Sequence, residues 1–428
     1  MLKLIMKKST ILIALFLGSL ISTYPQNLNG RISSSFYTYE RYDSASSAET
    51  HLLSFQSVSL NFNKDNFSVR SYGDFEHDFV NPQVDDPRLR VYNFYVEGRK
   101  LLKLFTVRLG RQPIFNSVAG GIMDGINVDI RKGDYKVTGY YGLNVPAYQK
   151  FQLSKGWNDN FIAGGKFQTS AIKNFDVSLG YVNKNFKPLD YYATRLDENL
   201  NPITVLIREN SNQFQFANAE VVYNQSNLFT IDTRYDYDLN YKTTSKFEFA
   251  GTYEQLENIH FSAYFNYRQP LIRYNSIFSV FDYGNTKEYE LGAEYFFDKS
   301  FWLSARVGDV EYRDAGSQRI TLGVNTNYGN VTFRKTLGYE GELFSLSGYS
   351  AKTFFDGVLT PSVGIAFTQY RLSTLDPTNH LITVLAGFNY RPIRILSFDV
   401  QAQYMDNKIY NNDFRVFFKA NYWFNTNF

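Results

Sequence analysis

The chain has 428 residues and a nearly balanced charge, with 44 Lys and Arg against 41 Asp and Glu. This balance excludes a protein that binds nucleic acid through a strongly basic surface. The absence of cysteine excludes disulfides, thiolate metal sites and cysteine nucleophiles. Aromatic residues form 18% of the chain, and so many rings on a water-exposed surface would promote association. The composition therefore favours a protein with an extensive surface in contact with lipid.

The N-terminal segment has the pattern of a secretory signal peptide. Lys3, Lys7 and Lys8 form a basic start, and residues 10–21 are apolar but too few to span a bilayer as a helix. We expect residues 1–24 to be a signal peptide, cleaved near this point, and residues 25–428 to form one domain. The alternative is a single N-terminal membrane anchor.

After this segment, no apolar run approaches the ~20 residues that a membrane helix needs. Only helices and closed barrels satisfy every backbone polar group in lipid. A mature chain that is integral to a membrane must therefore be a closed β-barrel.

Apolar and polar residues alternate along many segments, as they do in strands with one apolar face. In the last segment, one face carries Val416, Phe418, Ala420, Tyr422 and Phe424. The other face carries Arg415, Lys419, Asn421 and Asn425. The same pattern recurs along the chain, for example with Tyr92, Phe94 and Val96 on the face opposite Asn93, Glu97 and Arg99, and its apolar face is rich in aromatic residues. This is typical of a barrel wall with lipid outside and water inside.

Short polar turns separate these segments at regular intervals. They are predicted at residues 63–66, 100–103, 132–134, 171–174, 224–227, 255–258, 297–300, 328–330, 355–357 and 391–394. The connections between them are usually longer, and the longest is residues 183–212. Short turns on one rim and longer loops on the other are typical of outer-membrane barrels. The prediction is an all-β fold: a single transmembrane antiparallel up-and-down barrel of about 22 strands, with 18–22 compatible, and with short periplasmic turns and longer extracellular loops.

The longest predicted loop, residues 183–212, contains Leu189, Asp190, Tyr191 and Tyr192 and then an apolar run. Two interpretations are open. The loop folds inward and narrows the pore, or it extends strands above the membrane, which the pattern favours.

The C-terminal strand, which ends at Phe428, resembles the signal by which the barrel-assembly machinery recognises bacterial outer-membrane proteins, although Thr426 stands where an aromatic or apolar residue is usual. A second resemblance is the run Gly110-Arg111-Gln112, followed after a loop by Asp124-Gly125. Porin-like families, including the alginate-export type, have a similar arrangement of strand, loop and strand. The resemblance implies a porin-like barrel in the outer membrane of a Gram-negative bacterium, in contact with its lipid and with the assembly machinery. It does not imply alginate as the substrate.

Alternation assigns a set of charged residues to the lumen. These candidate pore-lining residues are Arg70, Arg99, Arg108, Arg131, Glu220, Asp232, Arg234, Asp236, Glu248, Glu290, Glu294, Arg306, Arg334, Arg391, Arg415 and Lys419. In one interpretation, an acidic wall formed by the middle strands faces a basic wall and sets up a transverse field in a diffusion channel. In the other, the charges pair with one another and fill a wet interior.

The expected function is passive diffusion of small polar or charged solutes. The alternative is a surface binding or export component whose specificity lies in the extracellular loops. An enzyme is not expected, because alternation places His77 on the face opposite Asp74, Glu76 and Asp78. No cofactor, metal site or nucleic-acid partner is expected either.

Overall fold

The computed structural model describes residues 26–428, apart from residues 45–46, 83–85, 116–117, 146–150, 188, 197–201, 210–211, 227, 272–283, 314, 339–340, 372–374 and 409–412. The expected signal peptide, residues 1–24, lies outside the described residues and stays a prediction. Among the described residues, no helix is long and apolar enough to cross a membrane.

Twenty-four strands form the described chain. The first twelve are β1 (Gln26–Ser44), β2 (Ser47–Lys64), β3 (Phe67–Asp78), β4 (Arg88–Leu101), β5 (Phe105–Ile114), β6 (Gly121–Lys132), β7 (Tyr135–Asn144), β8 (Phe161–Thr169), β9 (Phe175–Phe186), β10 (Leu189–Leu196), β11 (Pro202–Glu209) and β12 (Asn212–Gln225). The second twelve are β13 (Phe229–Asp238), β14 (Thr243–Leu256), β15 (Ile259–Arg268), β16 (Thr286–Asp298), β17 (Phe301–Tyr312), β18 (Ala315–Thr326), β19 (Gly329–Gly338), β20 (Gly341–Ala351), β21 (Leu359–Arg371), β22 (Asn379–Ile393), β23 (Leu396–Asp406) and β24 (Asp413–Asn427).

Twenty-two of these strands form one antiparallel sheet that closes on itself. Each strand pairs with the next one along the wall, and β9 pairs with β12 because β10 and β11 form a separate hairpin. The seam is the pairing of β1 with β24, which runs from Asn27 opposite Asn427 to Thr38 opposite Val416. The predicted up-and-down barrel and its strand number of about 22 are confirmed.

The short turns lie on one rim of the barrel, the rim where β1 begins and β24 ends. All ten predicted turns overlap connections between strands on this rim. Several of them use residues that tolerate a positive φ, such as Asp65 at 48°, Gly133 at 56° and Asn174 at 66°. The opposite rim has longer connections, for example residues 145–160 between β7 and β8. It also has tight hairpins, such as the one that joins β17 to β18.

The hairpin β10–β11 lies within the longest predicted loop. Leu189 pairs with Glu209 and Leu196 pairs with Pro202, so the hairpin has its own two-stranded ladder. It forms a sheet separate from the barrel wall, and the Tyr192 side chain is 74% exposed. This agrees with the interpretation that the loop extends strands beyond the wall.

A bulge in β4 changes the direction of one side chain. Alternation predicts that Tyr92 lies on the lipid-facing side with Phe94, but the register shifts beside Tyr72 and Gly73. The Tyr92 hydroxyl donates a hydrogen bond of 3.1 Å to Asp74 Oδ2, and its ring stacks on Tyr72 at 5.1 Å. The prediction for Tyr92 is therefore wrong, because a bulge adds one residue to the strand and reverses the alternation.

The outer wall is apolar and exposed. Leu291, Ile365 and Phe94 are among its large side chains, and each is more than half exposed. Most of the buried apolar side chains form one cluster on the inner wall, and Leu143, opposite Asp124 in the ladder, is a buried one on the outer face. The cluster consists of Ile114, Met123, Tyr140, Ile162, Val182 and Phe216. The packed core is therefore a patch inside the barrel, on neighbouring strands from β5 to β12.

Candidate functional site: the barrel lumen

The strand register places the sixteen predicted charged residues on the inward face of the wall. Arg70 and Arg108 line one lumenal cavity, and Arg234, Asp236 and Glu248 line a second. Arg391 lies 5.5 Å from the centre of the Trp423 ring, on the inward register of β24 near the short-turn rim. The geometry brings these residues to one surface, and their part in conduction stays a prediction.

An ion-pair network joins strands β4 to β7 on this inner surface. Arg108 Nε lies 2.8 Å from Glu97 Oε2, and Arg108 Nη1 lies 3.0 Å from Asp129 Oδ2. Lys136 Nζ is 3.5 Å from the other Asp129 oxygen. Arg99 Nε is 3.3 Å from the second Glu97 oxygen. Cations and carboxylates thus alternate around the wall, and each carboxylate has two cationic neighbours.

Five of the six predicted acidic residues of the middle strands also have cationic neighbours within 4 Å. The pairs are Lys166–Glu220 at 2.7 Å, Arg234–Asp236 at 2.6 Å, Lys246–Glu248 at 2.5 Å, Arg319–Glu290 at 2.8 Å and Arg306–Glu294 at 3.6 Å. Every pair is formed within one strand or between strands close together in the wall. The expected bare acidic wall is therefore neutralised locally. This pairing favours the wet, charge-paired interior over the transverse field.

The connection between β5 and β6 folds into the lumen. Its residues Val118 and Ala119 pack against the apolar patch of the inner wall. Lys184 Nζ on β9 donates a hydrogen bond of 2.8 Å to the carbonyl oxygen of Gly120, which holds the far end of the connection to the wall. We call the described residues of this connection, Phe115 and residues 118–120, the inward loop. It gives the apolar patch a partner and keeps it from water.

The inward loop was missed by the sequence analysis, although a signal for it exists. Met123, Ile162 and Val182 are apolar residues at positions whose alternation is lumenal. An apolar patch on the water-filled side of a barrel needs a cover. The sequence places those residues on the inner face but does not tell which loop covers them.

Two cavities lie on either side of the inward loop. The first has a volume of about 710 Å³, and Phe115 contributes to its lining. Its charged lining residues are Arg70, Arg108, Lys136, Lys166, Glu97 and Asp129, four cations and two anions, for a net charge of +2. The second has a volume of about 570 Å³ and is lined by Val118 and by strands β13 to β16. Both contain charged and polar lining side chains and are large enough to hold small solutes with their water.

The histidines near the long-loop rim form carboxylate pairs that alternation did not reveal. His77 Nδ1 lies 3.0 Å from Asp86 Oδ2, on the face away from Asp74 and Glu76. His51 Nδ1 lies 2.5 Å from Asp78 Oδ2, and both side chains are buried. Asp78 Oδ1 also accepts hydrogen bonds from the backbone N–H groups of residues 52, 80 and 81. The His51–Asp78 pair thus fastens the start of the loop that follows β3. Within the described ranges, no group of three or more His, Asp or Glu side chains could hold a metal ion.

Comparisons with known proteins support the fold and add nothing finer. No family model matches the chain, and no curated protein matches it. A mutant of the ferric enterobactin receptor of Pseudomonas aeruginosa superposes with a TM-score of 0.58 at 10% identity, over 94% of this chain and 81% of that one. The P pilus tip assembly intermediate PapC-PapD-PapK-PapG of E. coli gives a TM-score of 0.54 at 9% identity, over 94% of this chain and 62% of that one.

A third solved structure, OccAB1 of Acinetobacter baumannii, matches with a TM-score of 0.44 at 8% identity, over 94% of this chain and 96% of that one, and carries no weight for the fold. At these identities the two stronger likenesses show the large closed barrel alone. A large closed outer-membrane-type barrel is thus supported as a fold, and the porin-like and alginate-export resemblances stay expectations.

Proposed function

We propose that this chain is a porin-like channel of the bacterial outer membrane, for passive diffusion of small polar or charged solutes. The observation that carries the proposal is the lumen. Every described residue belongs to the wall, its turns, its loops or the β10–β11 hairpin, so the described chain holds no folded plug. The interior retains cavities of about 710 and 570 Å³ with charged lining residues beside the inward loop.

The charge pairing inside the lumen fits passive passage. Ion pairs between strands one or two apart hold charged side chains close to the wall and offset part of the lumenal charge. Conduction requires that a solute bind weakly enough to leave. The inward loop narrows the lumen and so supplies a size limit without closing a specific site.

Planar-bilayer recording of the purified barrel is the direct test. We expect stepwise insertion of open channels with a conductance that rises in proportion to salt. A chain that folds, as shown by its strand circular dichroism, and yet inserts without conductance contradicts the channel. A liposome-swelling assay with neutral sugars of increasing size then measures the size limit.

The β10–β11 hairpin favours a second candidate function. It lies apart from the wall, with the Tyr192 side chain exposed and Asp190 near Arg208 at 4.0 Å. A surface binding component would place its specificity in such an element. Deletion of residues 189–209 separates the two candidates, because a diffusion channel keeps its conductance and a surface-binding protein loses its ligand.

A further inference from the structure

A segment of the β7–β8 connection lies along the outside of the barrel. Gln152, Ser154 and Gly156 alternate with Phe151, Leu153, Lys155 and Trp157. The Trp157 ring stacks on Tyr141 of the outer wall, with 5.7 Å between the ring centres. The Tyr141 hydroxyl lies 3.4 Å from the carbonyl oxygen of Trp157 and donates to it. We call residues 151–157 the outer strap.

The wall beneath the outer strap contains a charge pair on the lipid-facing register. Arg111 Nε is 2.8 Å from Asp124 Oδ1, and Arg111 Nη2 is 3.0 Å from Asp124 Oδ2. Their neighbours on the same face, Leu109 and Ile126, are exposed apolar side chains. Arg111 and Asp124 are nevertheless only 4% and 8% exposed, because the outer strap covers them.

Each member of this pair also binds the backbone of the outer strap. Arg111 Nη2 donates a hydrogen bond of 2.8 Å to the carbonyl oxygen of Gln152. The backbone N–H of Ser154 donates one of 2.9 Å to Asp124 Oδ2. Irregular backbone facing lipid is costly because its polar groups find no water. The ion pair supplies those partners, and the outer strap in turn shields the charges from lipid.

The glycine-arginine-glutamine run lies in regular alternation, so Arg111 and Gln112 take opposite faces of β5. Gly110 has a φ of 123°, and a Cβ there would lie 2.4 Å from the Phe94 carbonyl oxygen. After this position, Gln112 points inward. Its amide nitrogen donates a hydrogen bond of 3.1 Å to the carbonyl oxygen of Gly125. Arg111 points outward to Asp124. The run thus places Arg111 on the face where it binds the outer strap.

We propose that the outer strap is an anchor in the outer leaflet of the membrane, where its apolar side chains insert among lipid acyl chains. Phe151 and Leu153 are 71% and 78% exposed and point away from the wall, and Trp157 is half exposed. They continue the lipid-facing surface formed by Leu109 and Ile126. Lys155 lies between them on the same side, where its ammonium group reaches the lipid head groups. The inference rests on the proposed membrane location and not on conduction.

Tryptophan fluorescence tests the anchor directly, since the chain has three tryptophans. Trp302 stacks on Phe296 and Trp423 faces Arg391, both on the inward register. The double variant Trp302→Phe/Trp423→Phe leaves Trp157 as the reporter. In vesicles of phosphatidylcholine brominated near the head group, we expect Trp157 to lose emission relative to unbrominated vesicles. Bromine near the ends of the lipid acyl chains should quench Trp157 emission less.

Two results overturn the proposal. Quenching by aqueous iodide with none by bromolipid places the outer strap in water. Protection from both quenchers places it against another protein surface, such as a second copy of the chain. Conductance of the same variant is measured in parallel, so failure of the anchor and failure of the channel are distinguished.

Removal of one charge from the Arg111–Asp124 pair provides the matched comparison. Asp124→Asn weakens the bidentate contact, and we expect bromolipid quenching of Trp157 to fall and protease cleavage within residues 151–157 to increase. Asp129→Asn removes a carboxylate of the same kind on the same strand, but on the lumenal face. It should leave Trp157 emission unchanged. Equal effects of the two variants would contradict the anchoring role of the Arg111–Asp124 pair.

Discussion

Arg108 holds Glu97 and Asp129 at the same time, with one nitrogen on each carboxylate at 2.8 and 3.0 Å. One side chain on β5 therefore links β4 and β6 across the inner wall. Replacement of Arg108 with Leu leaves two carboxylates without this cation. We expect the channel to become more cation-selective, and the free energy of unfolding to fall by about 1–3 kcal/mol, as for loss of a charged hydrogen bond. Reversal potentials in a salt gradient and urea titration measure the two effects.

Arg70→Gln is the control for this prediction. Arg70 lines the same cavity, and no ion pair of Arg70 is present among the described residues. The variant should shift selectivity in the same direction with little change in stability. If both variants leave the reversal potential unchanged, the first cavity is not on the conduction path.

The acidic side chains of the middle strands give a prediction of opposite sign. The triple variant with Glu248→Gln, Glu290→Gln and Glu294→Gln removes three negative charges and leaves their cationic neighbours Lys246, Arg319 and Arg306 in the lumen. We expect a shift toward anion selectivity that is largest at low salt, where screening is weak. Asp190→Asn on the hairpin is the matched control and should have no effect. Unchanged selectivity in the triple variant would remove these residues from the narrow part of the lumen.

The inward loop depends on the apolar patch below it. Ile162→Ala creates a gap under Val118 and Ala119, and a buried Ile→Ala change costs about 2–5 kcal/mol where the site cannot collapse. We expect the loop to detach from the wall more often, which raises the mean conductance and the current noise. Ile365→Ala on the outer, lipid-facing wall is the control. Identical current traces for both variants would show that the loop does not control the channel width.

Substitution of Phe428 distinguishes recognition by the assembly machinery from the stability of the folded barrel. Its side chain is 70% exposed, while its backbone N–H and carbonyl bond to Gln26 at 2.9 and 3.3 Å. Phe428→Ala keeps both backbone bonds, so the protein folded in vitro should be nearly as stable as the native chain. We propose that the assembly machinery reads this ring, and we expect less protein in outer-membrane fractions of cells. Normal membrane levels of the variant would contradict that recognition.

Much of the wall was predictable because its signals are local. Turn residues such as Asp65 and Asn174 mark the short rim, and alternation between turns assigns the two faces. The prediction failed at Tyr92, where a bulge shifts the alternation by one position without any change in the pattern of residue types.

The features of the site that were missed depend on contacts between distant segments. The sequence shows Ile162 and Val182 on the lumenal face but not that Val118 covers them. It shows Glu248 and Glu290 as acidic but not that Lys246 and Arg319 neutralise them, because pairing depends on side-chain reach across a particular register. Loop placement and charge pairing are therefore properties of the closed barrel and not of single strands.

The seam between β1 and β24 differs from the other strand pairs in how it forms. Apart from β9 and β12, those pairs join strands that are consecutive along the chain, whereas the seam joins residues such as Ser33 and Asn421 from opposite ends of the chain. Loop-closure entropy makes such a contact slow to form. Until it forms, two strand edges stay open to other chains. A slip of one residue at the seam would also turn Ser33 toward lipid. Closure is thus the step at which an error in assembly would be most costly.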